Sequence, residues 1–569
     1  MKSSKKRIKE LKKNGLLFVL LTLITFFAFP VSISAALAES RVTEELRGRI
    51  GKIEGTATME LDCQAIHAGT DLIQFYKERA YAPIWVDADR LNDLGRALPA
   101  YLQAANEHGL DPEDYHFSCM QAMVKNFQTI TQNHHPIPAR DLADLDILMT
   151  DAFLIYASHL SSGKVDPNRL YPQWLSEKNK ADVIGGLKDL VKHRDLKATL
   201  RRFAPPHQEY WDLMEAGKKL QKTVSAGGWP MFPPGKPLRP GDHDARIPFL
   251  RERLRAGGHL LAEDPRDPDT FDPSLVVAVK KFQALNGLEA DAIVGPGTIA
   301  ALNVPAEKRL QQIYLNMERW RWLPRQWKER DVIVNTASFS LQAWQDQRKV
   351  LSMKVIVGKN YQKTPVFSEQ MTYLEINPYW NVPRSIATKE FLPEIKRNPG
   401  YLASNHYELL AGWSNPPQAV NPWAVDWSSV SAQSFPYRIR QSPGPWNALG
   451  NIKFMFPNSF QVYLHDTPNR YLFKRHHRAL SHGCIRVEKP LDLALLVLQD
   501  DPAWTRDRIE NIIASKKRRI VSLPRPWMVH IQYWTAWVDE DGQIHFGQDI
   551  YDRDQVLWQA LNETKSRKA

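Results

Sequence analysis

The sequence predicts a multidomain α+β protein: a helical N-terminal region, a small helical module, and a mostly β C-terminal region that holds the chemistry. Three observations carry this reading. The chain has 569 residues, too many for a single hydrophobic core. A stretch dense in Pro and Gly, SAGGWPMFPPGKPLRPGD at 225–242, interrupts it and reads as a linker. From Arg330 onward the apolar residues stop recurring three and four apart and begin to alternate.

The first 38 residues hold seven Lys or Arg before Leu16, an apolar run from Leu16 to Phe29, a breaker at Pro30 and the small-residue pattern Ala36-Leu37-Ala38. That is the layout of a secretory signal peptide cut after Ala38. An uncleaved anchor is the alternative, because Gly15 to Ala38 carries no charge and is long enough to span a bilayer. Either way the remainder is expected outside the cytoplasm, and the membrane is met only through this segment. Half of the net charge of +12 lies in that leader, so the exported part is only mildly basic and no nucleic-acid partner is implied.

Residues 58–224 carry helical spacing, as in DLIQFYKERAYAPIWVDADRLNDLGRALPAYLQAANEHGL, with Gly109 ending a helix and HLSSGKVDP (His159 to Pro167) stopping another. This is read as a helical scaffold domain. Cys63 and Cys119 both lie in it and are candidates to pair, which leaves Cys484 as the odd thiol. After the linker, residues 243–304 predict three helices over Arg246–Ala256, Pro273–Asn286 and Pro296–Leu302, with Pro273 and Pro296 in first turns. The phrase from Phe271 to Asn303 resembles the small three-helix peptidoglycan-binding domain at Ala278, Phe282-Gln283, Gly287-Leu288, Asp291, Gly295, Thr298 and Leu302. It departs at Ala292, where that family usually has a glycine and where a side chain disfavours positive φ. A helical spacer that binds nothing is the competing reading.

The C-terminal domain spans 310–540 and turns to β from Arg330, where DVIVNTASFSLQAWQDQRKVLSMKVIVGK contains a turn at Gln345 to Arg348. Residues 399–450, with Trp413, Trp423, Trp427 and Trp446 among Pro, Ser and Asn, are too irregular for a central strand and read as an inserted cap with a core of its own. KPLDLALLVLQDD is a helix entered through Pro490. Residues 541–569 are read as a hairpin, turning at Asp541-Gly542, and a tail.

The stretch RALSHGCIRVEKP holds the only cysteine after Cys119. A thiol acts as a nucleophile when a base or positive charge favours the thiolate and solvent has some access. Gly483 permits a tight turn, the amides of Gly483 and Cys484 are candidate oxyanion donors, and Arg486 adds positive charge. The base must come from elsewhere: His465, ending the strand FQVYLH, is the first candidate, oriented by the carbonyl or side chain of Asp466, and His482 is the second. A buried core thiol would have poor neighbours in SHG and Arg486. His476, His477, His482 and Cys484 lack the paired spacings of a zinc site, so no metal and no cofactor are expected.

LHDTP followed by SHGCIRV, with His465 nineteen residues before Cys484, resembles the signature of the L,D-transpeptidase catalytic domain, also called the YkuD domain; VIVGKNYQKTPVFS and NPYWNVP resemble earlier segments of the same family. The helical scaffold, peptidoglycan-binding module and Trp-rich insertion resemble its long, YcbB-like kind. The resemblance implies a mostly β catalytic domain with Cys484 as nucleophile and His465 as base. Ser481, His482 and Gly483 would shape the pocket, and Tyr463, two residues before His465 and so on the same strand face, is a wall or oxyanion donor. It implies attack on a tetrapeptide stem of peptidoglycan, release of D-alanine and a 3→3 cross-link, in the cell envelope, with carbapenems acylating Cys484. Stem peptides and glycan are the implied partners, with an envelope lipoprotein, glycan synthases and carboxypeptidases as further ones. A carboxypeptidase or cysteine peptidase of wall peptides, and a silent wall-bound scaffold, are the alternatives; in papain-like enzymes the nucleophile precedes the histidine, the reverse of the order here.

Overall fold

The computed structural model describes residues 41–54, 60–61, 64–172, 174–175, 181–261, 265–412 and 416–566. The leader, Cys63 and Trp413 lie outside the described residues. Two compact units are present, one ending at Tyr210 apart from a return at Trp320–Trp322 and the excursion Val165–Glu177, the other built from the rest.

The first unit is helical. Its spine is the helix Ala139–Ser162, in which nearly every position is buried because neighbouring helices pack on all sides. Three carboxylates are buried on it, Asp144, Asp146 and Asp151, and the last two are surrounded by donors. Asp146 accepts from the amides of Ile84, Trp85 and Val86 and from the Tyr76 hydroxyl at 2.6 Å. Asp151 accepts from the amides of His67 and Ala68 and bonds His116 Nε2 at 2.7 Å. Such satisfied acids pin the loops between helices to the spine. Cys119 is disulfide-bonded, whereas Cys484 is free. Among the described residues no helix is long and apolar enough to cross a membrane.

In the second unit, the stretch expected to be a linker contributes to a core. Phe232 and Leu238 are 1% and 2% exposed and belong to the apolar cluster of the three-helix module, and the amide of Phe232 donates to Asn303 Oδ1. Pro and Gly there shape a wrapped segment rather than a free tether. The module's helices are Ile247–Ala256, Pro273–Leu285 and Pro296–Leu302. Buried Gln283 knits its last turn together, donating to Asp291, Ile293 and Thr298 and accepting from the amide of Ala292 at 2.9 Å. Ala292 does adopt the left-handed conformation, φ 64°, held there by that bond.

The main sheet has nine strands: β1 Arg330–Asn335, β2 Ser340–Gln345, β3 Arg348–Gly358, β4 Phe367–Ile376, β5 Ile452–Met455, β6 Leu464–His465, β7 Ala479–Ser481, β8 Ile485–Val487 and β9 Arg519–Gln532. Their order is β7-β3-β8-β6-β5-β4-β9-β1-β2, and β2 pairs again with β3, so eight strands close into a ring with β7 attached outside it. The turn between β2 and β3 places Asp346 and Gln347 at φ 49° and 63°, the geometry of a tight hairpin. Inside the ring lie Val332, Leu374, Phe454, Leu464, Ile485, Val487 and Trp527.

The inserted cap starts upstream of residue 399. Its four-stranded sheet pairs Trp380–Asn381, Tyr437–Gln441, Tyr407–Ala411 and Gln418–Ala419, and its apolar cluster runs from Val382 to Ile439. Of the tryptophans expected to build that core, Trp427 does so, Trp423 is 67% exposed and Trp446 stacks on His406 at 3.7 Å. The C-terminal hairpin pairs Ala536–Val538 with Ile544–Phe546 and turns at Gly542; the tail beyond it is a helix, Arg553–Ser566.

Candidate active site

Strand alternation sorts the residues around Cys484 into two faces. Leu464, Ile485, Val487 and Phe454 point into the ring. Their neighbours Tyr463, His465, Cys484, Arg486 and Lys453 therefore share the outer face. Register joins them: β6 and β8 are parallel with His465 opposite Arg486, and β5 lies antiparallel to β6 with Lys453 opposite His465. Glu375 on β4 faces Lys453. One transverse row thus reads Arg486, His465, Lys453, Glu375, with Cys484 and Tyr463 one pleat away.

The cysteine loop is held by its own neighbours. Gly483 sits at φ 114°, where a side chain would be strained. Ser481 Oγ donates to the Cys484 carbonyl at 2.5 Å and accepts from the Gly483 amide at 3.1 Å. That amide is therefore spent within the loop and is not free to hold an oxyanion, contrary to the expectation from sequence. The Gly483 carbonyl accepts from Thr364 Oγ1 at 2.9 Å, and the same oxygen of Thr364 accepts from the Gly358 amide at 2.9 Å. Tyr551 Oη completes the clamp by donating to the Gly358 carbonyl at 2.7 Å.

Cys484 is half-buried. Burial pushes its thiol up, against opposing pulls from Tyr463, Lys453 and Arg486. His465 is 4% exposed, and burial, with Arg486 as the next cause, takes its imidazole down to about 3 despite the Asp466 and Leu449 carbonyls. Its Nδ1 lies 2.5 Å from the Asp466 carbonyl, which can only accept, so Nδ1 carries the hydrogen and Nε2 the lone pair. Of the two orienting groups considered for Asp466, the carbonyl serves; the carboxylate instead takes the Asn451 amide and Arg470. The resting pair is neutral thiol and neutral imidazole.

Tyr463 packs edge-on to His465, centroids 5.7 Å apart, and its phenol and the Cys484 thiol shift each other's proton affinity, while the Cys484 sulfur itself lies 3.9 Å from the Gln461 carbonyl. Burial and the adjacent thiolate form hold that phenol protonated, so it is a donor. Lys453 Nζ lies 4.1 Å from the Tyr463 ring and 4.0 Å from Glu375. Arg486 Nε is buried and has no hydrogen-bond partner among the described residues. His482 is not on this face. It is exposed, and its Nε2 bonds Glu390 of the cap at 2.8 Å, which ties the cap to the loop.

Sequence reasoning brought together Cys484, His465, Tyr463 and Arg486, and placed Ser481 and Gly483 correctly beside them. It missed Lys453, Thr364 and Glu390. Lys453 was within reach of the alternation rule, since IKFM precedes FQVYLH as a neighbouring strand; the other two had no local signal.

Residues 329–505 match the family described as "L,D-transpeptidase catalytic domain", residues 243–302 "Putative peptidoglycan binding domain" and residues 70–216 "Scaffold domain". A protein of Haemophilus influenzae named "Putative L,D-transpeptidase" is 39% identical over 247 residues, 43% of this chain and 49% of that protein. The chain thus spans about half the length of that curated relative. Among solved structures, an L,D-transpeptidase from Mycobacterium smegmatis is 13% identical, covering 36% of this chain and 58% of its own, with a TM-score of 0.17. One from Stackebrandtia nassauensis is 13% identical, covering 53% and 96%, with a TM-score of 0.20.

Proposed function

We propose that this chain, which carries an L,D-transpeptidase catalytic domain, is a cell-envelope acyltransferase that cross-links peptidoglycan stems through a thioester on Cys484. The observation that carries the reading is the neutral pair on one sheet face: a thiol at Cys484 and an imidazole at His465 whose Nδ1 is committed to Asp466. As the sulfur attacks the carbonyl after the third residue of a donor tetrapeptide, the thiol proton passes to His465 Nε2. The tetrahedral oxyanion is held by the Tyr463 hydroxyl and the Cys484 amide, the donors left once Gly483 is spent on Ser481. The C–N bond breaks and His465 returns the proton to the departing D-alanine amine. An amine of a second stem then attacks the thioester, His465 takes its proton, and the thiolate leaves and is reprotonated.

A thioester keeps the energy of the broken amide, which suits a compartment without ATP. Water must be kept from it, and the cap, tied to the loop by Glu390 and His482, is suited to that task. Arg486, with its buried unpartnered nitrogen, is suited to a stem carboxylate. The leader at residues 1–38 and the two upstream domains fit an exported protein working on the wall.

The test incubates the purified protein and Cys484→Ala with disaccharide-tetrapeptide and weighs the products. A cross-linked dimer that has lost one D-alanine, absent with the variant, is the expected result. Tripeptide monomer alone would make the protein a carboxypeptidase, and no product from either protein would refute the enzymatic reading.

A further inference from the structure

Lys453 stands on the same outer face as Cys484 and makes no hydrogen bond among the described residues. Its side chain is only 15% exposed, and its Nζ lies 4.0 Å from Glu375 Oε1, too far for a hydrogen bond. Glu375 is buried and committed elsewhere: its Oε2 accepts from Arg518 Nε at 2.7 Å and lies 2.7 Å from Arg518 Nη2. The other close neighbour of Nζ is the Tyr463 ring, at 4.1 Å. Burial lowers the lysine's pKa even against the pull of Glu375 and of a Cys484 thiolate. A half-desolvated ammonium with all three hydrogens unspent is costly to hold, and an arriving anion relieves the cost.

Its position says which anion. Cys484 immediately precedes β8, His465 is on β6 and Lys453 is on β5, so nucleophile, base and lysine belong to successive strands. The lysine stem carries Nζ back over Tyr463, next to β6 and so about 4.8 Å, one strand spacing, from the strand of Cys484. In a donor stem the acyl carbon, the departing nitrogen and the carboxylate of the terminal residue follow in the same order, the two carbons about 3–4 Å apart. With the acyl carbon on the sulfur and the nitrogen at His465 Nε2, the carboxylate extends toward β5, where Lys453 meets it. Arg486 continues the strand of Cys484 and so lies on the acyl side of the base.

We propose that Lys453 is the specificity residue for the departing half of the donor: its ammonium binds the free carboxylate of the terminal D-alanine and so selects stems that end at that residue. A stem one residue longer would set a neutral peptide group against the cation and leave it unpaired. This role rests on the proposed function, which supplies the donor and the bond that is cut.

The test compares purified disaccharide-tetrapeptide with the same compound carrying a C-terminal carboxamide, an isostere without the charge, and reads kcat/KM for release of D-alanine or D-alaninamide. The unmutated enzyme should prefer the acid by about tenfold or more, the worth of a hydrogen bond between charged groups. Lys453→Met should bring that ratio close to unity, Lys453→Arg should keep it, and Arg486→Gln should slow both compounds alike. An unmutated enzyme indifferent to the charge overturns the proposal whatever the variants do, which covers a Lys453→Met chain that does not fold. An equal loss on acid and amide in Lys453→Met also overturns it, because the lysine would then support the sheet or the thiolate instead of reading the substrate; so does collapse of the ratio in Arg486→Gln. Cys484→Ala titrated calorimetrically with both compounds separates the two readings. Acid-selective binding that Lys453→Met abolishes, without turnover by the unmutated enzyme, refutes transpeptidation alone, and turnover without acid preference refutes this role alone.

Discussion

Replacing Thr364 with valine should displace the Cys484 sulfur without touching it. Thr364 is fully buried, and one oxygen serves two backbone groups, donating to the Gly483 carbonyl and accepting from the Gly358 amide. Valine has nearly the same shape, so packing is kept while both groups lose their partner in a place water does not reach. Each unsatisfied buried group costs about 1–3 kcal/mol, so the pair should cost about 2–6 kcal/mol. For a domain of this class, about 2–4 °C of melting temperature goes with each kcal/mol, which places the expected drop at 4 °C or more. Freed from its anchor, the Gly483–Cys484 peptide would shift, and a displacement near 1 Å at a reacting atom costs on the order of 100-fold in rate. Thermal unfolding followed by near-UV dichroism, together with the rate of acyl transfer on disaccharide-tetrapeptide, measures both. Thr364→Ser keeps the oxygen and should restore most of the rate. If Thr364→Val melted within about 1 °C of the parent and turned over normally, the clamp would have no role in placing the sulfur.

Three further outcomes follow from the geometry. The imidazole of His465 binds a proton less readily in the folded chain than its ordinary value near 6.5, so stability should be complete above pH 6.5 and fall by up to about 1.4 kcal/mol per unit as pH drops toward 3; denaturant titrations should show His465→Gln losing that part of the slope. Because burial raises the Cys484 thiol, its alkylation by iodoacetamide should still be accelerating above pH 9, and a plateau by pH 8 would refute the neutral resting pair. Glu390→Gln breaks a half-exposed contact worth no more than about 1 kcal/mol, so melting should barely move, while the ratio of tripeptide to cross-linked dimer should rise if the cap shields the thioester.

What the sequence disclosed followed the range of the interactions involved. Cys484 and His465 were legible because their local strings carry the chemistry, and β1 to β3 because alternation is a property of neighbours along the chain. The module's helix ends were legible through Pro273 and Pro296. Composition misled at 225–242, since Pro and Gly announce a break in regular structure and say nothing of whether Phe232 and Leu238 find a core. The Gly483 amide was misassigned because its competitor, Ser481 Oγ, depends on a loop conformation. Thr364 and Glu390 lie 119 and 92 residues from the groups they hold, beyond any pattern in one sequence.

The place of β9 in the ring bears on when the thiol becomes competent. Arg519–Gln532 is last among the sheet strands in the chain yet lies between β4 and β1, and the ring cannot close without it. A chain not yet made through Gln532 has, at most, every other strand of the sheet but not all of this one. Its sheet has two raw edges, and the surface that aligns Cys484 with His465 is unsupported on the β4 side. The alignment of Cys484 with His465 is thereby deferred until the chain is made through Gln532, and truncation ahead of Gln532 should yield an aggregation-prone product with a misplaced thiol.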